Sequence, residues 1–146
     1  MTGRRFLFRL PKGADIHESL YAFCRQEGVR RAWVSVIGAT TRTRLGYYDQ
    51  RRRRYFDREF RGALEILSCT GNVSLKEGEP FAHLHAILGD GKYRVLGGHL
   101  FASEVFAAEV SVEEIPGPAL RRVPDPETGL ALWKSSLSPK KKQKSR

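Results

Sequence analysis

Apolar and polar residues alternate along most of this 146-residue chain, which is the two-residue period of half-buried strands. Turn-forming residues divide the alternation into short stretches. The predicted strands cover residues 4–10, 30–41, 44–49, 54–60, 63–75, 81–88, 93–101 and 104–115. Short connections between many strands favour antiparallel pairing. The sequence therefore predicts an α+β fold with mainly antiparallel sheets and one principal helix.

One segment near the N-terminus has helical rather than strand periodicity. Its apolar residues recur at i, i+4, i+7 and i+8, and they are Ile16, Leu20, Phe23 and Cys24. Asp15, with Glu18 three residues later, forms a capping-box pattern, and Gly28 is suited to end the helix. We therefore predict a single helix between Asp15 and Gly28.

Length and composition fit one domain with one core. Hydrophobic residues make up 40% of the chain, and no apolar stretch approaches the ~20 residues that span a bilayer. We expect residues 1–133 to form the domain and residues 134–146 to form a disordered basic tail. Cys24 and Cys69 form no paired motif, so we expect buried structural thiols and a cytoplasmic location without membrane attachment.

The net charge of +10 is concentrated in two places. A run of four arginines lies at the tip of a predicted hairpin, and residues 134–146 carry six basic residues and no acid, so the rest of the chain is neutral. Such clusters attract phosphates without regard to base sequence. Non-specific contact with DNA or another polyanion is one interpretation, and a merely solvated surface is the other. The residues predicted to contact phosphates are Arg51, Arg52, Arg53, Arg54, Lys140, Lys141, Lys142 and Lys144.

Three of the four histidines fall within one predicted hairpin. Because side chains alternate along a strand, His83 and His85 point the same way, with Cα atoms ~6.6–6.8 Å apart. The reversal around residues 89–92 is predicted to pair His83 with the region of His99. Three imidazoles would then converge on one ion, zinc or another divalent transition metal. The alternative is a coincidence of partly buried histidines.

A catalytic metal site also needs a proton carrier. Glu65 and Glu109 are carboxylates within apolar strand segments, where an unpartnered charge is costly. We expect each either to pair with an arginine or to lie beside the metal. These two glutamates are the catalytic candidates.

The same motifs resemble the plants-and-prokaryotes-conserved (PPC) domain. The similarity covers about residues 4–133 and is most specific in Pro80–Ala86, which contains His-Leu-His, and in Gly97–Leu100, which contains Gly-Gly-His. The resemblance implies a homotrimer with a sandwich-like fold similar to that of acetolactate decarboxylase. It also implies a metal site formed by His83, His85 and His99. Plant members bind DNA through AT-hook segments, but this chain lacks the Arg-Gly-Arg-Pro core of such a hook.

Three functions are compatible with these features. The preferred one is a metal-binding, trimeric, regulatory module that contacts DNA phosphates non-specifically. The second is a zinc-dependent enzyme, similar to a lyase or decarboxylase, in which the metal polarises a small carbonyl or carboxylate substrate. The third is an assembly partner whose metal only cross-links the hairpin. A small-molecule ligand at the metal is compatible with all three.

Overall fold

Seven strands and one helix make up the computed structural model, which describes residues 3–135. The elements are β1 (Arg5–Leu10), α1 (Ile16–Glu27), β2 (Ala32–Asp49), β3 (Arg54–Lys76), β4 (Glu79–Gly89), β5 (Val95–Glu114), β6 (Arg121–Pro124) and β7 (Ala131–Leu132). All strand pairs are antiparallel except β3 with β6, so the predicted α+β class is confirmed. The predicted tail lies outside the described residues from residue 136 onward, and the domain boundary stays a prediction.

The single helix begins and ends as predicted. The side chain of Asp15 accepts a hydrogen bond from the backbone N–H of Glu18 at 3.1 Å, and its second oxygen accepts one from Ser103 on β5 at 2.7 Å. Gly28 ends the helix with a φ of 68°, a left-handed conformation that glycine adopts without steric cost. No helix among residues 3–135 is long and apolar enough to cross a membrane.

Three pairs of predicted strands are in fact single long strands. Residues 30–41 and 44–49 belong to β2, residues 54–60 and 63–75 to β3, and residues 93–101 and 104–115 to β5. The register of β2 against β3 shifts between Val36 and Gly38 and again between Thr40 and Arg42. Such bulges bend a strand without ending it, so the polar and glycine interruptions in the sequence do not mark turns.

Four strands pair in a closed cycle, because β2 and β4 each pair with both β3 and β5. The cycle encloses an apolar core to which every long strand contributes, including Val34, Cys69, Leu84, Leu100 and Val110. Helix α1 packs against β4 and β5 and buries its apolar side there, including Cys24. Both cysteines are buried free thiols, as expected from the sequence.

Candidate metal centre

Strand β4 directs two histidines away from the core. Leu84, which lies between His83 and His85, is 0% exposed, and Ala82 and Ala86 are also buried. Because neighbouring residues of a strand point to opposite faces, burial of these three side chains turns both imidazoles to the other face. His85 is exposed and His83 is half-buried. The apolar alternation of β4 therefore sets the direction of the two rings.

His99 lies on β5 directly opposite His85. The sequence-based expectation that His83 pairs with this region is wrong, because the ladder between β4 and β5 begins at His85, two residues later along β4. On its other side, β4 places His83 opposite Asn72 of β3. The pairing runs without a shift from His85 and His99 to Gly89 and Val95, and a tight reversal follows. Residues opposite each other on antiparallel strands share a face, so His99 still joins the other two histidines.

The three imidazoles lie close enough together to share one ion. One possible ligand atom from each residue lies within 4.8 Å of the others, and the Nε2 atoms of His83 and His85 are 3.2 Å apart. Zinc bonds of ~2.0–2.1 Å at ordinary coordination angles place neighbouring nitrogens ~2.9–3.4 Å apart. His99 Nδ1 is buried and has no hydrogen-bond partner among residues 3–135. The donor set and its spacing therefore fit a transition metal ion.

Burial holds two of these histidines in the neutral form that binds metals. It is the main cause that lowers the pKa of both His83 and His99 to about 4. The positive charge of Arg122 also lowers the pKa of His83, and the neighbouring His83 imidazole disfavours protonation of His99. A neutral imidazole offers a lone pair without first losing a proton, so both rings are ready to bind metal at neutral pH.

Aromatic rings pack against the buried side of His99. The ring of Tyr55 on β3 lies 5.0 Å from it between centroids, and the ring of Phe101 on β5 lies 4.7 Å from it. Tyr55 and Phe101 are also in edge contact with each other at 5.1 Å. These contacts restrict the orientation of the His99 imidazole. His17, the fourth histidine, lies on α1 and is not a member of the three-histidine group.

Arg122 is a feature of this region that sequence reasoning missed. It lies on β6, is 8% exposed and reaches back over β3 to Asn72 and Ser74. Burial lowers the pKa of its guanidinium. Its segment follows Pro116, Gly117 and Pro118 and has no clear periodicity, so the sequence carries no signal for its burial.

The two glutamates proposed as proton carriers do not lie with the histidines. Glu65 and Glu109 are exposed, and they line a shallow groove together with Arg9, Ile37 and Leu67. The expectation that each pairs with an arginine or lies beside the metal is therefore not met, because the segments look apolar throughout only since the outward faces of these strands also carry apolar residues. Neither carboxylate forms an ion pair within residues 3–135. Their placement does not support the enzyme alternative.

The arginine run lies at the turn between β2 and β3, as predicted, and Arg51 to Arg54 are all exposed. Asp49 organises this turn. Its Oδ1 accepts hydrogen bonds from the backbone of Arg51 and Arg52 at 2.9 and 2.8 Å, and its Oδ2 pairs with the Arg52 side chain at 2.9 Å. Arg53 donates to the Pro126 carbonyl at 3.0 Å, and Arg54 stacks over Phe56. Among the described residues, no carboxylate lies within ion-pair distance of Arg51, Arg53 or Arg54.

Comparison with known proteins defines the class of this chain. The family profile of the Plants and Prokaryotes Conserved (PCC) domain, also abbreviated PPC, matches residues 1–116. The chain belongs to this family. The match includes the three histidines and the arginine run, and it ends before Arg122.

Solved structures show the same fold. A metal-containing protein from Archaeoglobus fulgidus is 45% identical, with 92% of this chain and 96% of that chain covered and a TM-score of 0.88. A PPC protein from Pyrococcus horikoshii is 39% identical, with 92% and 94% covered and a TM-score of 0.88. A protein from Bacteroides thetaiotaomicron, described as a candidate DNA-binding protein, is 28% identical, with 89% and 91% covered and a TM-score of 0.83.

Two further similarities concern larger proteins. The α-acetolactate decarboxylase of Bacillus subtilis is 12% identical with a TM-score of 0.56, over 76% of this chain and 52% of that chain, and shares the fold alone. The bifunctional protein GlmU of a Synechococcus strain is 30% identical over 129 residues, which are 86% of this chain and 20% of that protein. The chain therefore spans about one fifth of the length of the curated relative that it matches.

Proposed function

We propose that this protein binds one divalent transition metal ion through His83, His85 and His99. The observation that carries the proposal is the spacing of the three ring nitrogens on one face of β4 and β5. The metal-containing relative from Archaeoglobus fulgidus supports it. Three protein ligands leave coordination positions open, which is the arrangement of zinc sites that accept water or a further ligand. Zinc is the ion that we expect, and other imidazole-binding metals are its competitors.

Elemental analysis of the purified protein tests this proposal. We expect about one metal ion per chain in the wild type and loss of most of it in His85→Asn and His99→Asn, since each change removes one of only three ligands. His17→Asn is the matched control, because His17 is the one remaining histidine and lies outside the group. Equal metal content in all four proteins, or none in the wild type, would refute the proposal.

A second candidate function is non-specific contact with nucleic acid through the arginine turn. Arg51, Arg53 and Arg54 project three charges into solvent, and a fixed cluster of this kind neutralises phosphates. The relative from Bacteroides thetaiotaomicron supports this proposal. The basic residues Lys140, Lys141, Lys142 and Lys144 would add to the same attraction, although they lie outside the described residues.

Salt-dependent binding to a short DNA duplex tests the second candidate. Each phosphate contact contributes about 0.9 to the slope of log affinity against log salt. Changing Arg51, Arg53 and Arg54 to Gln should therefore lower the slope by up to about 2.7 per chain. Truncation after residue 135 measures the share of the tail, and Arg61→Gln, an arginine already paired with Glu59, is the control. An unchanged slope after both the triple substitution and the truncation would exclude DNA contact by these residues.

We also propose that the chain assembles as a homotrimer. Large apolar side chains on the outer strand faces support association, since they would be covered by neighbouring copies, and the number of three copies is what the family resemblance implies. They include Ile37, Leu67, Ile87, Val95 and Phe106, each about half exposed. Light scattering after gel filtration should give three times the 16.6 kDa chain mass. Changing Leu67 to Glu should lower that mass, and a wild type of any other mass, such as a monomer or a dimer, would refute the trimer.

A further inference from the structure

The guanidinium of Arg122 is a buried positive charge without a carboxylate partner in the described part of the chain. Its Nε donates to Ser74 Oγ at 2.8 Å, its Nη1 to the Ala131 carbonyl at 3.0 Å and its Nη2 to Asn72 Oδ1 at 3.1 Å. All three acceptors are neutral, and no carboxylate lies within 4 Å among residues 3–135. A guanidinium has five N–H groups, so one on Nη1 and one on Nη2 have no acceptor among these residues. These neutral acceptors stabilise the charge but do not neutralise it, and an anion would do so.

The side chain of Arg122 lies on the face of the sheet that carries the histidines. Its acceptor Asn72 is directly opposite His83 in the β3–β4 register. Its carbon Cζ lies 5.0 Å from the ring centre of Phe81, which is two residues before His83 and therefore points to the same face. Trp133, the residue directly after β7, has its ring centre 4.7 Å from the same carbon. Directly opposite residues have Cα atoms about 4.5–5.5 Å apart, so the residue that holds the arginine, Asn72, lies beside His83, one of the three histidines.

The combined positive charge of Arg122 and a bound metal ion indicates what kind of ligand the site would bind. Three neutral imidazoles leave the full charge of a divalent ion unbalanced, and Arg122 adds a further positive charge close by. His85 is exposed, so solvent and small solutes can reach the ion from that side. A carboxylate fits the remaining N–H groups of a guanidinium well because its two oxygens can accept from both terminal nitrogens.

We propose that Arg122 and the metal ion together bind a small organic anion, with one donor group of the ligand on the metal and a carboxylate on the arginine. The inference rests on the proposed metal site and adds the chemical class of its ligand. Short dicarboxylates and oxo- or hydroxycarboxylates carry both groups on one small molecule, which suits an arginine held by the residue directly opposite His83.

The cobalt(II) form of the protein provides the test, because its visible absorption changes when a ligand enters the coordination sphere. The probes are malonate, which can reach both groups, and imidazole, a neutral ligand that needs only the metal. In Arg122→Gln we expect malonate to bind about 10–100-fold more weakly, as for the loss of hydrogen bonds to a charged group. Imidazole affinity should stay within about twofold of wild type, since nothing on Arg122 holds it.

Two more variants make the result decisive. Arg122→Lys keeps the charge and much of the volume but lacks the planar fork, so we expect malonate affinity between those of wild type and Arg122→Gln. It also serves if Arg122→Gln fails to fold. Arg121→Gln is the matched control, because this neighbouring arginine is exposed on the other side of β6 and should leave malonate binding unchanged.

The outcomes separate the two proposals. If the wild type takes up no cobalt, the metal site itself is wrong. If cobalt binds normally but both Arg122 variants bind malonate as the wild type does, the metal site stands and the ligand assignment is wrong. Equal loss of malonate and imidazole would also overturn the assignment, since it would show that Arg122 only holds the fold together.

Discussion

Leu84 offers a direct test of the geometry that directs the histidines, because it can be examined without any metal. The side chain is 0% exposed and lies between His83 and His85 on β4, which is hydrogen-bonded to a strand on each side. Leu84→Ala removes a fully enclosed side chain and leaves a cavity that the two flanking strands cannot easily close. The free energy of unfolding should fall by about 2–5 kcal/mol, as for other enclosed leucines.

The assay is urea unfolding in the presence of a chelator, followed by tryptophan fluorescence. In a domain of this size the expected loss also lowers the thermal midpoint by about 2–4 °C per kcal/mol. Leu84→Met keeps most of the volume and should cost less than about 1.5 kcal/mol. Leu7→Ala, at a residue 82% exposed, should change stability by less than about 0.5 kcal/mol. A loss below about 1 kcal/mol for Leu84→Ala would show that Leu84 does not point into the core, and the common direction of His83 and His85 would then be wrong.

Three further predictions concern protonation, thiol reactivity and strand contact. In chelated protein the free energy of unfolding should fall as the pH drops from about 6.5 towards about 4, because His83 and His99 take up protons in the unfolded chain while their folded pKa is about 4. This pH-dependent loss of stability should be absent from a variant that carries both His83→Asn and His99→Asn. Burial raises the pKa of Cys24 to about 11 and of Cys69 to about 12, so neither should react with Ellman's reagent at pH 8 until denaturant is added, when two thiols should appear. Gly71→Ala places a Cβ 1.8 Å from the His83 carbonyl oxygen, so it should cost about 1–3 kcal/mol and weaken metal uptake.

Each of these three predictions has an outcome that would contradict it. Stability of the chelated wild type that depends on pH no more than that of the double Asn variant would contradict the first. Rapid modification of a native thiol would contradict the second. For the third, Gly91→Ala is the control, since an added Cβ there meets nothing within 4 Å. Equal stability and metal content of Gly71→Ala and Gly91→Ala would show that Gly71 of β3 does not lie against the His83 backbone of β4.

Local signals in the sequence were sufficient for the helix and for the direction of the β4 histidines. The Asp15 cap and the left-handed Gly28 are properties of single residues, and both are present in the structure. The alternation of Ala82, Leu84 and Ala86 with the histidines depends only on the strand period. These features could be predicted because no distant part of the chain has to be placed to define them.

Features that depend on long-range register could not be predicted in the same way. The pairing of His99 with His85 rather than His83 depends on where the reversal after Gly89 is placed, and a turn of uncertain length leaves this open. Strand β2 continues through the bulges near Gly38 and Arg42, although local composition indicated that one strand ended at residue 41 and another began at residue 44. Arg122 is buried because it packs against Phe81 and Trp133. Phe81 is distant from both of the other residues in sequence, so no local pattern indicates this contact.

The position of β4 inside the closed cycle of strands has a consequence for how the centre exchanges its ion. Shifting His85 would require rupture of the ladders with β3 and with β5 at once, and shifting His83 would require rupture of the ladder with β3. The ordering of these imidazoles is therefore completed when the chain folds, before any ion arrives. We expect a chelator to remove the ion without changing the backbone. Metal binding would then occur at a preformed site and would not be coupled to folding.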